Sequence, residues 1–333
     1  MVSIAPQTRM RAVLCRRAGS PGELEVVELD RPTVADDGLL VRVHASSANP
    51  VDLVALSPVG QLMRRRKPVV VGTDFAGTVE ATGRDVTAFT AGDEVFGAAR
   101  GAFAEYVSVA ASARLVRKPV GISFEDAATL PVAASTALQA LRDHGRVQSG
   151  QRVLINGASG GVGTFAVQIA QSLGAEVTAV CSTRNVDLVR EIGADTVIDY
   201  TRDDFTRSGE RYDLMLDVAG NHSWSECARV LGKGATYVGV GAAGVQHGKG
   251  GARAALTHFL EVRLASIGSG RTVVALFIAK LRRDDLELLG RLVESGLVKP
   301  VVERSYELAD APAALMRIDE GHTQGKLAIV IQR

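Results

Sequence analysis

The stretch Arg152-Val-Leu-Ile-Asn156 followed by Gly157-Ala-Ser-Gly-Gly-Val-Gly163 constrains this chain more than anything else in it. A short apolar run passes into a cluster of glycines. Beyond them Val162, Phe165, Ala166, Ile169, Ala170 and Leu173 recur at the spacing of one helix face. Strand, glycine turn and helix in that order are what a dinucleotide-binding crossover requires. The turn is tight, the pyrophosphate must reach backbone with no Cβ in its way, and the helix must pack closely on its strand. The start of the helix also offers unpaired N–H groups to phosphate. Gly160, Gly161, Val162 and Gly163 are therefore candidate cofactor-binding residues, although Ala158 stands where the usual G-x-G-x-x-G spacing has its first glycine.

The second strand of such a unit ends near Cys181, about 20 residues on, where an Asp or Glu usually holds the ribose 2′-hydroxyl. The turn Cys181-Ser-Thr-Arg-Asn185 contains neither. Ser182, Thr183 and Arg184 supply hydroxyls and a cation suited to a 2′-phosphate, so the expected cofactor is NADPH rather than NADH. The alternative is that Arg184 only opens the next helix in solvent.

From Met10 to about Pro131 the apolar residues come in short runs, among them Arg11–Cys15, Leu39–His44 and Ala104–Val107, separated by Gly, Pro and Asp. That texture reads as strand-rich. After Ser135, strand-like and helix-like segments alternate through Arg152–Asn156, Gly161–Gly174, Glu176–Ser182, Asn185–Ile192 and Thr196–Tyr200, the pattern of a parallel sheet with crossover helices. Asp284–Ser295 reads as an amphipathic helix before closing strands at Val301–Tyr306 and Leu327–Ile331. A length of 333 residues fits about two domains. The expected fold class is α/β.

Charge narrows the partners. Lys and Arg number 38 against 37 Asp and Glu, so no global field draws the chain to nucleic acid or an anionic membrane. No apolar run approaches a membrane span, and Pro6 and Arg9 interrupt the place where a signal peptide would be apolar. Cys15, Cys181 and Cys227 are too few and too far apart for a disulfide framework or a C-x-x-C metal pair, which favours a reducing, cytoplasmic setting. The six histidines show no ligand spacing, so no metal site is expected.

A resemblance then covers nearly the whole chain. The segments Ala45-Ser-Ser-Ala-Asn-Pro-Val-Asp52, Val71-Gly-Thr-Asp-Phe-Ala-Gly77, Ala91-Gly-Asp-Glu-Val-Phe-Gly97, Gly101-Ala-Phe-Ala-Glu-Tyr-Val107, Leu130-Pro-Val-Ala-Ala-Ser-Thr-Ala137, Gly193-Ala-Asp-Thr-Val-Ile-Asp-Tyr200 and Gly321-His-Thr-Gln-Gly-Lys326, with the glycine turn, carry it. The sequence resembles a zinc-free medium-chain dehydrogenase/reductase of the quinone oxidoreductase-like group, and within it bacterial proteins labelled NAD(P)-dependent alcohol dehydrogenases. The resemblance implies a GroES-like, partly barrelled β-domain over residues 1–131 and 271–333, a Rossmann doubly wound parallel sheet over 132–270, a substrate cleft at their junction, and a homodimer. The departures bear on chemistry. Zinc-dependent relatives have a Cys in the segment matching Ala45–Asp52 and a Gly-His-Glu motif where this chain has Gly72-Thr73-Asp74; the four clustered cysteines of their structural zinc are also missing after Gly97. Many quinone reductases carry a Tyr soon after the Asn-Pro-Val-Asp motif, and this chain has Leu53 there.

The same resemblance names further site candidates. Asn49 would lie on the nicotinamide side and orient the substrate carbonyl or the ribose, the alternative being a turn-stabilising Asn before Pro50. Asp52 is read as bonding local backbone and is not assigned to the site. Thr136 would sit near the nicotinamide ribose or pack in a helix, and Tyr200 near the adenosine phosphate or as a strand-end aromatic. Gly220 and Gly241 would let backbone approach the cofactor from two strand ends. Lys326 would reach the cofactor or lie on the surface before the last strand. The implied function is an NADPH-dependent, zinc-independent oxidoreductase passing hydride to a small molecule, a quinone or the activated double bond of an α,β-unsaturated carbonyl. The alternatives are a zinc-free carbonyl or alcohol oxidoreductase and a cofactor-binding protein with little turnover.

Overall fold

The computed structural model describes residues 8–63, 65, 67–112, 114–240 and 260–332. Six parallel strands form its central layer: β9 (Arg152–Asn156), β10 (Glu176–Cys181), β11 (Thr196–Asp199), β12 (Tyr212–Asp217), β13 (Leu231–Gly239) and β14 (Thr272–Val274). They lie in the order β11-β10-β9-β12-β13-β14. This is the doubly wound order in which the chain reverses direction beside the first strand, and ligands of such sheets bind at the strand C-terminal ends near that reversal. Alternation along β9 explains why the layer is covered on both faces. Val153 and Ile155 join Phe165 and Ile169 of the helix α5 (Gly161–Ser172) in one buried cluster, while Leu154 joins Met215, Trp224 and Tyr237 in another.

The second layer is antiparallel except at one edge and is built around the long strand β3 (Gly38–Ala48). On one side β3 pairs with β5 (Asp74–Thr82), which leads to β6 (Glu94–Ala98) and β8 (Leu115–Arg117). On the other, β16 (Lys326–Val330) pairs antiparallel with β3, and β7 (Tyr106–Ala110) joins β3 further along. The strand β15 (Val302–Glu307) closes the far edge parallel to β16, and a separate small sheet joins β1 (Arg9–Cys15), β2 (Glu25–Asp30) and β4 (Val69–Val70). Leu39, Val41, Val43, Phe75, Val95, Leu327 and Ile329 fill the core of this layer, so both ends of the chain build one GroES-like domain.

The boundary read at residues 270 and 271 shifts. Thr272–Val274 is the sixth strand of the parallel sheet, in register with Thr236–Val238. The helix Arg283–Glu294 then buries Leu286, Leu289 and Val293 in the same core as β9 and α5. The chain returns to the GroES-like layer only at β15. No helix among the described residues is long and apolar enough to cross a membrane.

Candidate active site

The glycine turn after β9 has geometry that only small residues permit. Gly157 sits at φ +87°, and a Cβ on Gly163 would lie 2.1 Å from the Gly157 carbonyl oxygen. At Gly160 the position of a Cβ is open, with nothing nearer than the Gly157 oxygen at 3.6 Å. The turn thus leaves a bare backbone cradle at the start of α5, where Gly161, Val162 and Gly163 form the first turn of the helix. On the neighbouring strand ends Asn156 Nδ2 donates to Asp217 Oδ1 and Asn221 Oδ1, both at 2.9 Å, and the Gly220 N–H donates to Asp217 Oδ1 at 2.8 Å. Tyr237 Oη donates to the other Asp217 oxygen at 2.8 Å, and burial pushes its phenol far above the usual range. This braced group fixes Gly220, at φ +59°, opposite the glycine turn. Gly241 lies outside the described residues.

At the end of β10 the three residues expected at a 2′-phosphate diverge. Ser182 is half-buried, and Arg184 is exposed with Nη2 on the His322 carbonyl at 2.7 Å. Thr183 Oγ1 donates instead to Asp199 Oδ2 at 2.6 Å, so its hydroxyl proton is held within the fold. Tyr200 is exposed on the loop that follows Asp199.

The two layers meet at the turn itself. Gly160 bridges Gly325, whose N–H donates to the Ser159 carbonyl at 2.8 Å, and a Cβ on Gly161 would lie 3.0 Å from Lys326 Cδ. Lys326 is buried. Its Nζ donates to Asn49 Oδ1 at 2.6 Å and to the Ala48 carbonyl at 3.2 Å. Asn49 Nδ2 in turn donates to Asp74 Oδ2 at 2.8 Å and to the Ser47 carbonyl at 3.1 Å. Asp74 also accepts from Ser47 Oγ at 3.0 Å and from the Val132 N–H at 3.1 Å, at the start of the helix Leu130–Gln139. Asp52 accepts from the Asn49 N–H at 2.9 Å and from Thr73 Oγ1 at 2.7 Å. Thr136, half-buried one turn beyond Val132, donates to the Val132 carbonyl at 2.7 Å.

This arrangement changes two expectations. Both amide hydrogens of Asn49 are taken, one of them by a carboxylate that holds it more strongly than a neutral substrate carbonyl would. Asn49 therefore caps the short helix Pro50–Leu53 and orients the network rather than offering a donor to substrate. Lys326 is an interior cation on Asn49, not a surface residue. Asp74 is not among the expected site residues, and Asp52 is the residue read as bonding local backbone; the one hint is that Gly72-Thr73-Asp74 stands where zinc-dependent relatives have Gly-His-Glu. Burial raises Asp74 to about 6, against the pull of Lys326, and Asp52 to about 7. Burial also lowers Lys326, with Asp74 and Asp52 opposing. Among the described residues no three His, Cys, Asp or Glu side chains are placed to hold a metal ion.

An open cradle at Gly160, a helix start behind it and two braced strand ends suit a dinucleotide. Comparison with known proteins places that geometry. The family model described as alcohol dehydrogenase GroES-like domain matches residues 35–120, and the one described as zinc-binding dehydrogenase matches residues 192–329. The chain is 33% identical over 330 residues to the mitochondrial NAD(P)H oxidoreductase RTN4IP1 of Mus musculus, covering 87% of this chain and 81% of that one. It is 34% identical over 325 residues to the chloroplastic quinone-oxidoreductase homolog of Spinacia oleracea (93% and 95%), and 33% identical over 320 residues to the trans-enoyl reductase pgmF of Aspergillus terreus (89% and 86%). Among solved structures, the quinone oxidoreductase of Coxiella burnetii superposes with a TM-score of 0.86 at 28% identity, covering 97% of this chain and all of that one. The Escherichia coli quinone oxidoreductase complexed with NADPH gives 0.82 at 25% identity, with 96% and 99% covered.

Proposed function

The chain belongs to the medium-chain dehydrogenase/reductase family, in its quinone oxidoreductase-like group, and we propose that this NAD(P)H-dependent oxidoreductase uses NADPH, without zinc, to reduce quinones or the conjugated double bond of α,β-unsaturated carbonyls. The observation that carries the reading is the open cradle at Gly160 facing the junction of the two layers. NADPH bound there would supply the hydride. The chain's own part is to seat the pyrophosphate on the backbone of Gly160–Gly163, to present Ser182 and Arg184 to a 2′-phosphate, and to hold Gly220 against the ribose. Hydride addition to a saturated ketone builds localised alkoxide charge, which calls for a Lewis acid or several aimed donors. The Asn49 amide, with both hydrogens engaged, is not free to serve as such a donor. Addition to an enone or quinone spreads the charge over a conjugated system, which backbone N–H groups and water can hold while solvent returns the proton. The relatives named for quinone and trans-enoyl reduction support this choice.

A panel of enones, quinones, saturated ketones and alcohols, followed by loss of NADPH absorbance and product NMR, tests it. Enones should give the saturated ketone and quinones the hydroquinone, after exhaustive chelation as before it. An allylic alcohol from an enone, or faster oxidation of a plain alcohol, would move the protein to the carbonyl-reductase reading.

We also propose a cytoplasmic homodimer. Among the described residues the strand β14 is one edge of the parallel sheet, and Leu276 and Ile278 just beyond it are 43% and 84% exposed. Light scattering should return twice the chain mass, and a single-chain mass would refute the dimer.

A further inference from the structure

Asn185 has no part in the reading above, yet it is buried between the two loops that would flank the adenosine end of the cofactor. Its Nδ2 donates to Ser159 Oγ in the glycine turn at 2.8 Å and to Ser182 Oγ after β10 at 3.2 Å. Its Oδ1 is buried and accepts no hydrogen bond from the protein. A hydroxyl that accepts from an amide keeps its own proton for a further acceptor. One side chain thereby leaves two serines, from loops 23 residues apart in sequence by the numbering of Ser159 and Ser182, each with a hydroxyl proton to donate. Such a pair, with the Arg184 cation one residue before Asn185, suits a dianionic phosphoryl group far better than a neutral ribose hydroxyl.

We infer that Asn185 is a specificity-determining positioning residue, which sets Ser159 and Ser182 as donors to the 2′-phosphate of NADPH. The inference rests on the NADPH preference proposed above. It does not depend on the substrate reduced.

The test is cofactor binding, read by fluorescence titration with NADPH and with NADH on wild type, Asn185→Asp and Ser182→Ala. A carboxylate accepts only, so Asn185→Asp reverses both serine hydroxyls and adds a charge repelling phosphate. NADPH affinity should fall about tenfold or more while NADH affinity stays within about threefold. Ser182→Ala, at a half-buried position that tolerates the smaller side chain, should lose part of the same NADPH-selective increment, and the double variant Asn185→Asp/Ser182→Ala should lose less than the two single losses combined. Equal weakening of both cofactors, or an unchanged ratio in Asn185→Asp with Ser182→Ala also unchanged, would overturn the role. If wild type itself binds NADH as tightly as NADPH, the NADPH reading fails first; a wild-type preference that survives both substitutions fails this inference alone.

Discussion

Lys326→Met is expected to lower the unfolding free energy by about 3–5 kcal/mol at pH 8 and by much less at pH 5. The lysine ammonium donates to Asn49 Oδ1, and its charge is the main influence holding Asp74 down against burial. Removing it leaves a buried carboxylate with neutral donors alone. The pH dependence follows from the direction of the Asp74 shift. Its folded value, about 6, lies above the ordinary 3.8, so the stability linked to its bound proton is present at low pH and disappears as pH rises through about 6. Without Lys326 the folded value rises further, and the gap between variant and wild type widens from pH 5 to pH 8. Urea unfolding at the two pH values measures this. A pH-independent loss would mean that the lysine stem contributes packing only. The double variant Lys326→Met/Asp74→Asn should recover most of the loss, because a neutral pair leaves no uncompensated charge.

That network also marks where reading the sequence reaches its limit. The glycine turn was legible because its strand, its glycines and its helix are contiguous, and the alternation that begins there reads as a parallel sheet with crossover helices; its doubly wound order is implied only by the family resemblance. Lys326 and Asn49 are 277 residues apart, and Asn49, just past the end of β3, is 25 from Asp74 at the start of β5. Nothing local to either position announces that the other will lie within hydrogen-bond reach. Asn49-Pro50 reads equally as a site or as a turn-stabilising Asn before Pro, and only the partner of each amide hydrogen decides between them. Thr183 carries the same ambiguity: a hydroxyl at the end of a strand suits a phosphate until Asp199 is seen to accept its proton. The domain boundary slipped for a different reason. A strand of three residues, Thr272–Val274, is too short for periodicity to separate from the loop around it.

Gly160→Ala and Gly163→Ala should separate the two reasons for glycine in the turn. Gly163 is required by the fold. Its Cβ would meet the Gly157 carbonyl oxygen at 2.1 Å and Ala158 Cα at 2.7 Å, and backbone cannot step aside as a side-chain tip can. Gly163→Ala should therefore push α5 off its strand, at a cost of about 1–3 kcal/mol or more, and weaken NADPH by about a hundredfold as the turn opens. Gly160, at φ −82° and ψ 178°, has a backbone conformation that any residue adopts, and its Cβ would touch nothing closer than 3.6 Å. Gly160→Ala should keep wild-type stability, or gain slightly from a less flexible unfolded chain. It should still lose about tenfold or more in NADPH affinity, because the added methyl would occupy the space through which the pyrophosphate reaches backbone N–H groups. Urea unfolding and fluorescence titration on the same two preparations decide the matter. Wild-type NADPH affinity in a fully folded Gly160→Ala protein would show that the phosphates do not cross the turn at that residue, and the cofactor seat would have to be drawn again from the strand ends at Ser182 and Gly220.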